Sequence, residues 1–359
     1  MSLGFGNIIK HIIPVSAENL AQAQKHLDSL TKPPGSLGRL EELGRRYAAI
    51  KGLDSPRVRT KAVYVFAADH GVAQQGVSAF PAEVTPQMVL NFLNGGAAIN
   101  VLADHFGVQV VVVDMGVNYD FDDHPGLVNK KIGKGTRDLS LGNSMTRLQA
   151  EQAVQVGVDL AREASENGID ILATGDMGIG NTTASVAIIA ALTQRPVKEI
   201  TGRGTGIDDE SLLKKIQVVE KALKLNQPNT NDPLDVLAKV GGFEIAGITG
   251  FILGSAMSGT PVVIDGVISG AAALIAYRMN PTVGDYMFMS HQSREPAHKE
   301  VFDAVGQLPL FDFEMRLGEG TGAVIGMNLL EAAVKIYVKM ATFENAGVAQ
   351  KNVEGKIEE

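Results

Sequence analysis

Cysteine is absent from the 359 residues. That excludes a disulfide framework, a thiolate zinc site, an iron–sulfur cluster and a cysteine nucleophile. Tryptophan is absent too, and 13 Phe with 6 Tyr are too few for a base-stacking surface. Positive charge is scarce. Thirty-two Lys and Arg against 40 Asp and Glu leave a formal net charge of −8, the wrong sign for a general nucleic-acid binder or a basic membrane-surface protein. Met1 to Pro14 holds a short apolar stretch but no signal-peptide core with a small-residue cleavage site. One uncharged run, Ile245 to Ile264, raises the question of a membrane span. It is broken by Gly247, Gly250, Gly254, Gly259 and Pro261, stops at Asp265 and has no flanking Lys/Arg cluster. It reads as a buried helix, turn and strand, and the expectation is a cytoplasmic protein with no membrane span and no nucleic-acid partner.

Glycine is what the chain has in excess, 40 residues in all, above the usual share of about 7%. The glycines cluster at the ends of apolar runs, where tight turns let backbone approach a ligand. The length suits one large domain with an accessory piece and needs no cross-links to hold a core. The first fifty residues read as helical: Ser16 caps a helix to about Leu30, Lys32-Pro33-Pro34-Gly35 breaks it, and Ser36 caps a second helix from Leu37 to Ile50. From residue 60 near-continuous apolar runs alternate with helices. Strands are predicted over Lys61–Ala67, Val108–Val113, Ile169–Ala173 and Pro261–Ile264, with helices over Pro86–Phe106, Thr146–Asn167, Asn181–Leu192, Asp208–Leu225 and Ser269–Arg278. This alternation is the unit of a parallel α/β sheet. Gly322 to Met340 reads as one long amphipathic helix returning to the N-terminal helices, and the charged tail Gln350–Glu359 is expected to fray.

Ligands of open parallel sheets bind beyond the carboxyl ends of strands. After Ala173 comes Gly175-Asp176-Met177-Gly178-Ile179-Gly180-Asn181-Thr182-Thr183, running into a helix. The glycines and the helix start favour an anion, although Asn181 or Thr182 would serve equally as a plain cap. The spacing is neither a dinucleotide fingerprint nor a P-loop. Gly202-Arg203-Gly204-Thr205-Gly206, with Lys214 and Lys215 further on, reads as a phosphate clamp or as a turn beside a solvated helix face. Asp208-Asp209 makes a poor magnesium site. Ala68-Asp69-His70-Gly71 closes the first strand, and Ser78, Phe80, Gln87, Met88 and Phe92 follow as pocket wall or ordinary core. His291, Glu295 and His298 would share a face of an unbroken helix, but Pro296 interrupts it and the spacing fits no zinc motif. Glu319, between Gly318 and Gly320, is a carboxylate in a glycine-lined setting of the kind that raises a base toward working pH.

Together these motifs carry a resemblance. Lys32-Pro33-Pro34-Gly35-Ser36-Leu37-Gly38-Arg39-Leu40, Ala68-Asp69-His70-Gly71, Val84-Thr85, the Gly175 loop, Gly202–Gly206, Ser290-His291 and Leu317-Gly318-Glu319-Gly320-Thr321-Gly322 occur in that order over nearly the whole chain. The chain resembles the nicotinate-nucleotide:dimethylbenzimidazole phosphoribosyltransferase family. The resemblance implies an α/β fold: a parallel Rossmann-like sheet flanked by helices over residues 56–321, with a small helical domain from 1–55 and 322–359, in a homodimer. It implies transfer of the 5-phosphoribosyl group from nicotinate mononucleotide to 5,6-dimethylbenzimidazole, with no cofactor and no metal. By the same resemblance Glu319 is the general base and Asp176 a second catalytic acid. Gly175, Gly178, Gly180, Asn181, Thr182, Gly204, Lys215 and Ser293 hold the nucleotide phosphate, and Ser78, Phe80, Gln87, Met88, Met177 and Leu317 hold the benzimidazole. One departure stands out: the family usually reads Gly-Glu-Met where this chain has Gly175-Asp176-Met177.

A chain without cysteine, whose one ligand-like cluster is broken by Pro296, is expected to work without a metal. Activity should survive dialysis against a strong chelator. Loss that zinc or magnesium restores would promote His291, Glu295 and His298 to ligands.

Overall fold

The computed structural model describes residues 11–349, so the expectations for the first ten residues and for the tail Gln350–Glu359 lie outside the described residues. The described chain falls into two compact units, residues 11–14 with Arg59–Asn328, and Val15–Val58 with residues 329–349.

The larger unit is built on six parallel strands: β1 (Lys61–Ala68), β2 (Gln109–Gly116), β3 (Leu127–Asn129), β4 (Ile171–Met177), β5 (Val262–Ile264) and β6 (Met287–Met289), in spatial order β3-β2-β1-β4-β5-β6. The order reverses between β1 and β4, so a crevice is expected at their carboxyl ends. Every residue of β1 is buried, as its unbroken apolar run requires. Alternation along β1 sends Tyr64 and Phe66 to one face, where their rings meet Phe251 at centroid distances of 4.6 and 5.4 Å. Val63 points to the other face, against Gly320 at the start of the helix Thr321–Lys339.

The structure corrects several boundaries. β4 runs on to Met177, pairing Gly175 with Val65 and Asp176 with Phe66. The glycine loop therefore begins at Gly178. The predicted helix Pro86–Phe106 is two helices, Val84–Leu93 and Ala98–Phe106, divided at Asn94-Gly95-Gly96 where Gly95 takes φ +76°. The second N-terminal helix starts at Arg39, and Ser36 does not cap it. Glu41 reaches back instead, accepting the Gly35 and Leu37 N–H groups at 3.2 and 3.0 Å and pairing with Lys32 at 2.8 Å. Asn181 and Thr182 do not cap the helix Asn181–Thr193 either, since its N-cap is Gly180. The uncharged run from Ile245 is the buried helix Phe243–Met257 followed by β5. Thr321–Lys339 has the length and apolarity to cross a membrane, but Ala323, Val324, Met327, Leu330, Ala333, Val334 and Tyr337 along it are buried in protein.

The smaller unit is helical. Ala23, Leu27 and Leu30 at the end of one helix pack with Ala48 and Tyr337 in a compact core. Ser16 caps the helix Ala17–Ser29 by accepting the Asn19 N–H.

Helices Arg147–Glu166 and Phe243–Met257 approach backbone to backbone. A Cβ at Gly157 would sit 1.9 Å from the Gly247 carbonyl oxygen, and one at Gly250 would sit 1.8 Å from that of Val154. No side chain fits without parting the helices. Gly157→Leu should therefore cost at least the 1–3 kcal/mol typical of overpacking, read as a lower denaturant midpoint. An unchanged midpoint would show that the two helices separate freely.

Candidate active site

The carboxyl ends of β1, β4 and β5 carry acids: Asp69, Asp176 and Asp265. A cleft of about 330 Å³ opens beside them, lined among others by Asp176, Met177, Gly178, Asn181, Thr182, Gly204, Ser293, Leu317, Gly318 and Glu319. Phe80 and Met88 form an apolar wall, and Phe80 and Leu317 stay more than half exposed.

Glu319 is placed by strain and by tethers. Gly318, Glu319 and Gly320 all take positive φ, +86°, +63° and +92°. Glutamate is rare in that region and is held there only where its surroundings over-determine it. Those surroundings are specific. Asp265 accepts the Gly320 N–H at 3.1 Å and the Ala323 N–H at 3.0 Å, so it also caps the helix behind the loop. Its own N–H donates to the Thr174 hydroxyl. The Glu319 carbonyl lies against Gly175, where a Cβ would sit at 2.5 Å. Gly175 is thus glycine so that the loop can lie on the strand, and it does not line the cleft. At the far end of the side chain, Glu319 Oε2 accepts the Ile99 N–H at 3.3 Å. Burial raises the Glu319 pKa, the Ile99 hydrogen bond opposes that, and the nearby Asp265 charge raises it further.

Asp176 faces the same cleft from β4. Asn181 Nδ2 donates to its Oδ2 at 2.9 Å, while Oδ1 has no hydrogen-bond partner. Its pKa is raised well above the usual carboxylate value by burial first, then by the charges of Asp265 and Glu244, with Glu319 adding to them.

Lys215 is fully buried and lies behind the glycine loops, not in the cleft wall. Its ammonium donates to Thr182 Oγ1 at 2.9 Å and to the Gly202 carbonyl at 3.1 Å. Burial pulls its pKa down to about 8, against the charge of Glu295. Ser78 is likewise outside the lining: its hydroxyl meets Thr205 Oγ1 at 3.1 Å, and Ala79 N–H donates to the same oxygen. Ser78 latches the Phe80 segment to the Gly202–Gly206 loop. Gln87 is exposed and away from the cleft, and Gly180 packs near His70 and Val72. His291 and Glu295 precede the helix Ala297–Val305 and do not share its face with His298. Among the described residues no three His, Asp or Glu side chains are grouped to hold a metal ion.

Three residues beside the site escaped the sequence reading. Asp265 directly follows β5, and the rule applied to the other strands would have found it. Arg316 lines the cleft and donates to the Gly204 carbonyl at 3.3 Å. Glu244 has no local signal. It lies in a fully buried pair with His70 at 2.6 Å, where Gly178 of the glycine loop and Gly242 pack on the imidazole.

The fold and the cleft define an α/β enzyme with a small-molecule site at the switch point of its sheet. The chain belongs to the phosphoribosyltransferase family, whose profile matches residues 12–348. It is 57% identical over 342 residues to the nicotinate-nucleotide–dimethylbenzimidazole phosphoribosyltransferase of Geobacter sulfurreducens, covering 95% of this chain and 97% of that one. It is 59% identical over 343 residues to the protein of the same name from Chloroflexus aggregans, covering 96% and 97%. The crystal structure of the Thermus thermophilus protein of that name superposes with a TM-score of 0.89 at 47% identity, covering 94% of this chain and 100% of the other.

The His70–Glu244 pair gives stability a pH dependence. Burial lowers the His70 pKa, but the Glu244 charge, the hydrogen bond to it and Asp69 outweigh burial and leave it raised. A histidine raised on folding stabilises fully below its unfolded value of about 6.5, and that contribution is lost as pH climbs through the folded value. Denaturation measured across this range should show that falling limb in the wild type and lose it in His70→Gln. Identical profiles would mean that the pair binds no proton on folding.

Proposed function

We propose that the chain transfers the 5-phosphoribosyl group of nicotinate mononucleotide to 5,6-dimethylbenzimidazole, giving α-ribazole 5′-phosphate and nicotinate, the lower-ligand step of cobalamin biosynthesis. The observation that carries this reading is Glu319, a carboxylate on a loop fixed by Asp265 and held by the Ile99 N–H, in a cleft with one apolar and one hydrogen-bonding wall. The relatives named for that reaction support it over 95–96% of the chain. We place the benzimidazole against Phe80, Met88, Met177 and Leu317. The phosphate goes to the opposite wall, on the N–H groups opening the helix Asn181–Thr193, Thr182, Gly204 and Ser293. Lys215 supplies positive charge from behind that wall.

One ring nitrogen of the benzimidazole attacks C1′ while Glu319 takes the proton from the other. The bond from C1′ to the pyridinium nitrogen breaks, and its electron pair neutralises the ring, so nicotinate departs without a general acid. Attack opposite the β-linked nicotinate inverts C1′. The raised pKa of Glu319 brings it nearer to working pH, where a base is most effective. Asp176 has the complementary task. Its carboxyl group faces the cleft beside the pyridinium ring and steadies the positive charge that grows on the ribose. The lone Oδ1 is the oxygen free to do so. The enzyme works in the cytoplasm, as a homodimer and without a cofactor.

General-base catalysis contributes about 10²–10⁴-fold, or roughly 3–5 kcal/mol of barrier. Glu319→Gln keeps the side chain's size but cannot accept the proton, so kcat should fall by about that factor. Binding of nicotinate mononucleotide should change far less. A nearly inactive Asp176→Asn beside an active Glu319→Gln would reverse the two roles.

A further inference from the structure

Glu295 stands where the phosphate is expected. Its carboxylate is buried, at 7% exposure. Oε1 accepts the Gly204 N–H at 2.8 Å, and Oε2 has no hydrogen-bond partner. A Cβ at Gly202 would sit 2.2 Å from Oε2, so glycine there lets the carboxylate press onto the loop. Behind the same loop lie the Lys215 ammonium and the Thr182 hydroxyl, and the charges of Lys215 and Glu295 attract. A backbone N–H thus holds a carboxylate oxygen, with the Lys215 charge behind the loop, much as it would hold a phosphate oxygen. Glu295 also borders a neighbouring cleft of about 400 Å³ that holds Arg203, Arg294 and Arg316.

We propose that Glu295 is a resident anion in the phosphate cradle: it holds the Gly204 N–H in the free enzyme, and the substrate phosphate displaces it toward Arg294 and Arg316. This rests on the phosphate placement given above. The physical case is one of charge balance. Without Glu295 the buried Lys215 ammonium would lack a nearby opposite charge. A carboxylate in the cradle supplies that charge and repels stray anions. A phosphate without ribose and pyridinium gains too little to displace it, while the whole nucleotide gains enough. Glu295 then sets specificity, trading affinity for discrimination against inorganic phosphate.

The test is calorimetric titration at pH 6.5, where Lys215, with its value of about 8, is charged. Glu295→Gln keeps an oxygen for the Gly204 N–H and removes the charge. Inorganic phosphate should bind this variant at least about tenfold tighter than it binds the wild type. The preference for nicotinate mononucleotide over phosphate should shrink accordingly. Glu295→Asp, too short to reach Gly204 from the same backbone, should move both quantities in the same direction by less. Phosphate affinity that is unchanged or weaker in both variants would overturn the proposal. Equal wild-type affinity for nicotinate mononucleotide and its nucleoside would overturn the phosphate placement itself, and this inference with it.

Discussion

The Asp265 carboxylate is the fixture on which the site depends. It leaves β5 at the carboxyl edge of the sheet and takes two N–H groups, one from the loop that carries Glu319 and one from the helix that follows. Charge-assisted bonds of this kind are about twice as strong as neutral ones, and buried here they have no competing water. They hold three consecutive residues at positive φ, a conformation that would otherwise relax. Gly175 completes the arrangement by giving the loop a strand to lie on. The Glu319 carboxylate is therefore referenced to the sheet, although it sits on a loop.

Around that fixture the enzyme keeps an excess of buried acid. Asp69, Asp176, Glu244, Asp265, Glu295 and Glu319 are all at most 7% exposed. They cannot all be ionised at little cost, and their surroundings differ in what they offer. Glu244 has a histidine, Asp265 has backbone N–H groups, and Glu295 has Gly204 with Lys215 nearby. Asp176 has only an amide and repelling neighbours, and its pKa is raised well above the usual carboxylate value. The end of the cleft that holds Asp176 and Glu319 is well matched to a group on which positive charge develops.

Much of this was legible in the residues. The apolar runs marked four of the six strands, because strands covered on both faces leave a near-continuous signature. β3 and β6 were missed. Three residues each are too few to show a period, and unlike the equally short β5 neither closes a long uncharged run. Apolar residues on both sides of Asn94-Gly95-Gly96 keep a helical pattern, so the sequence reads as one helix where that turn divides two. The ordered motifs brought the family and, through it, the acids and glycine loops that the fold gathers into one cleft. They did not separate residues that line the cleft from those that hold the lining in place. Ser78, Gly175 and Lys215 belong to the second kind.

The sequence by itself determined the class of fold, the order of the motifs and the residue types at the strand ends. These follow from local chemistry: apolar periodicity, turn residues, and acids placed directly after strands. Only the tertiary structure decided what each acid does. Gly320 and Asp265 are 55 residues apart in the chain, and Glu295 and Gly204 are 91. Their pairing exists only once the parallel sheet brings its carboxyl ends together. Proton affinity and hydrogen-bond supply depend on burial and on neighbours distant in the chain, and no local pattern encodes either.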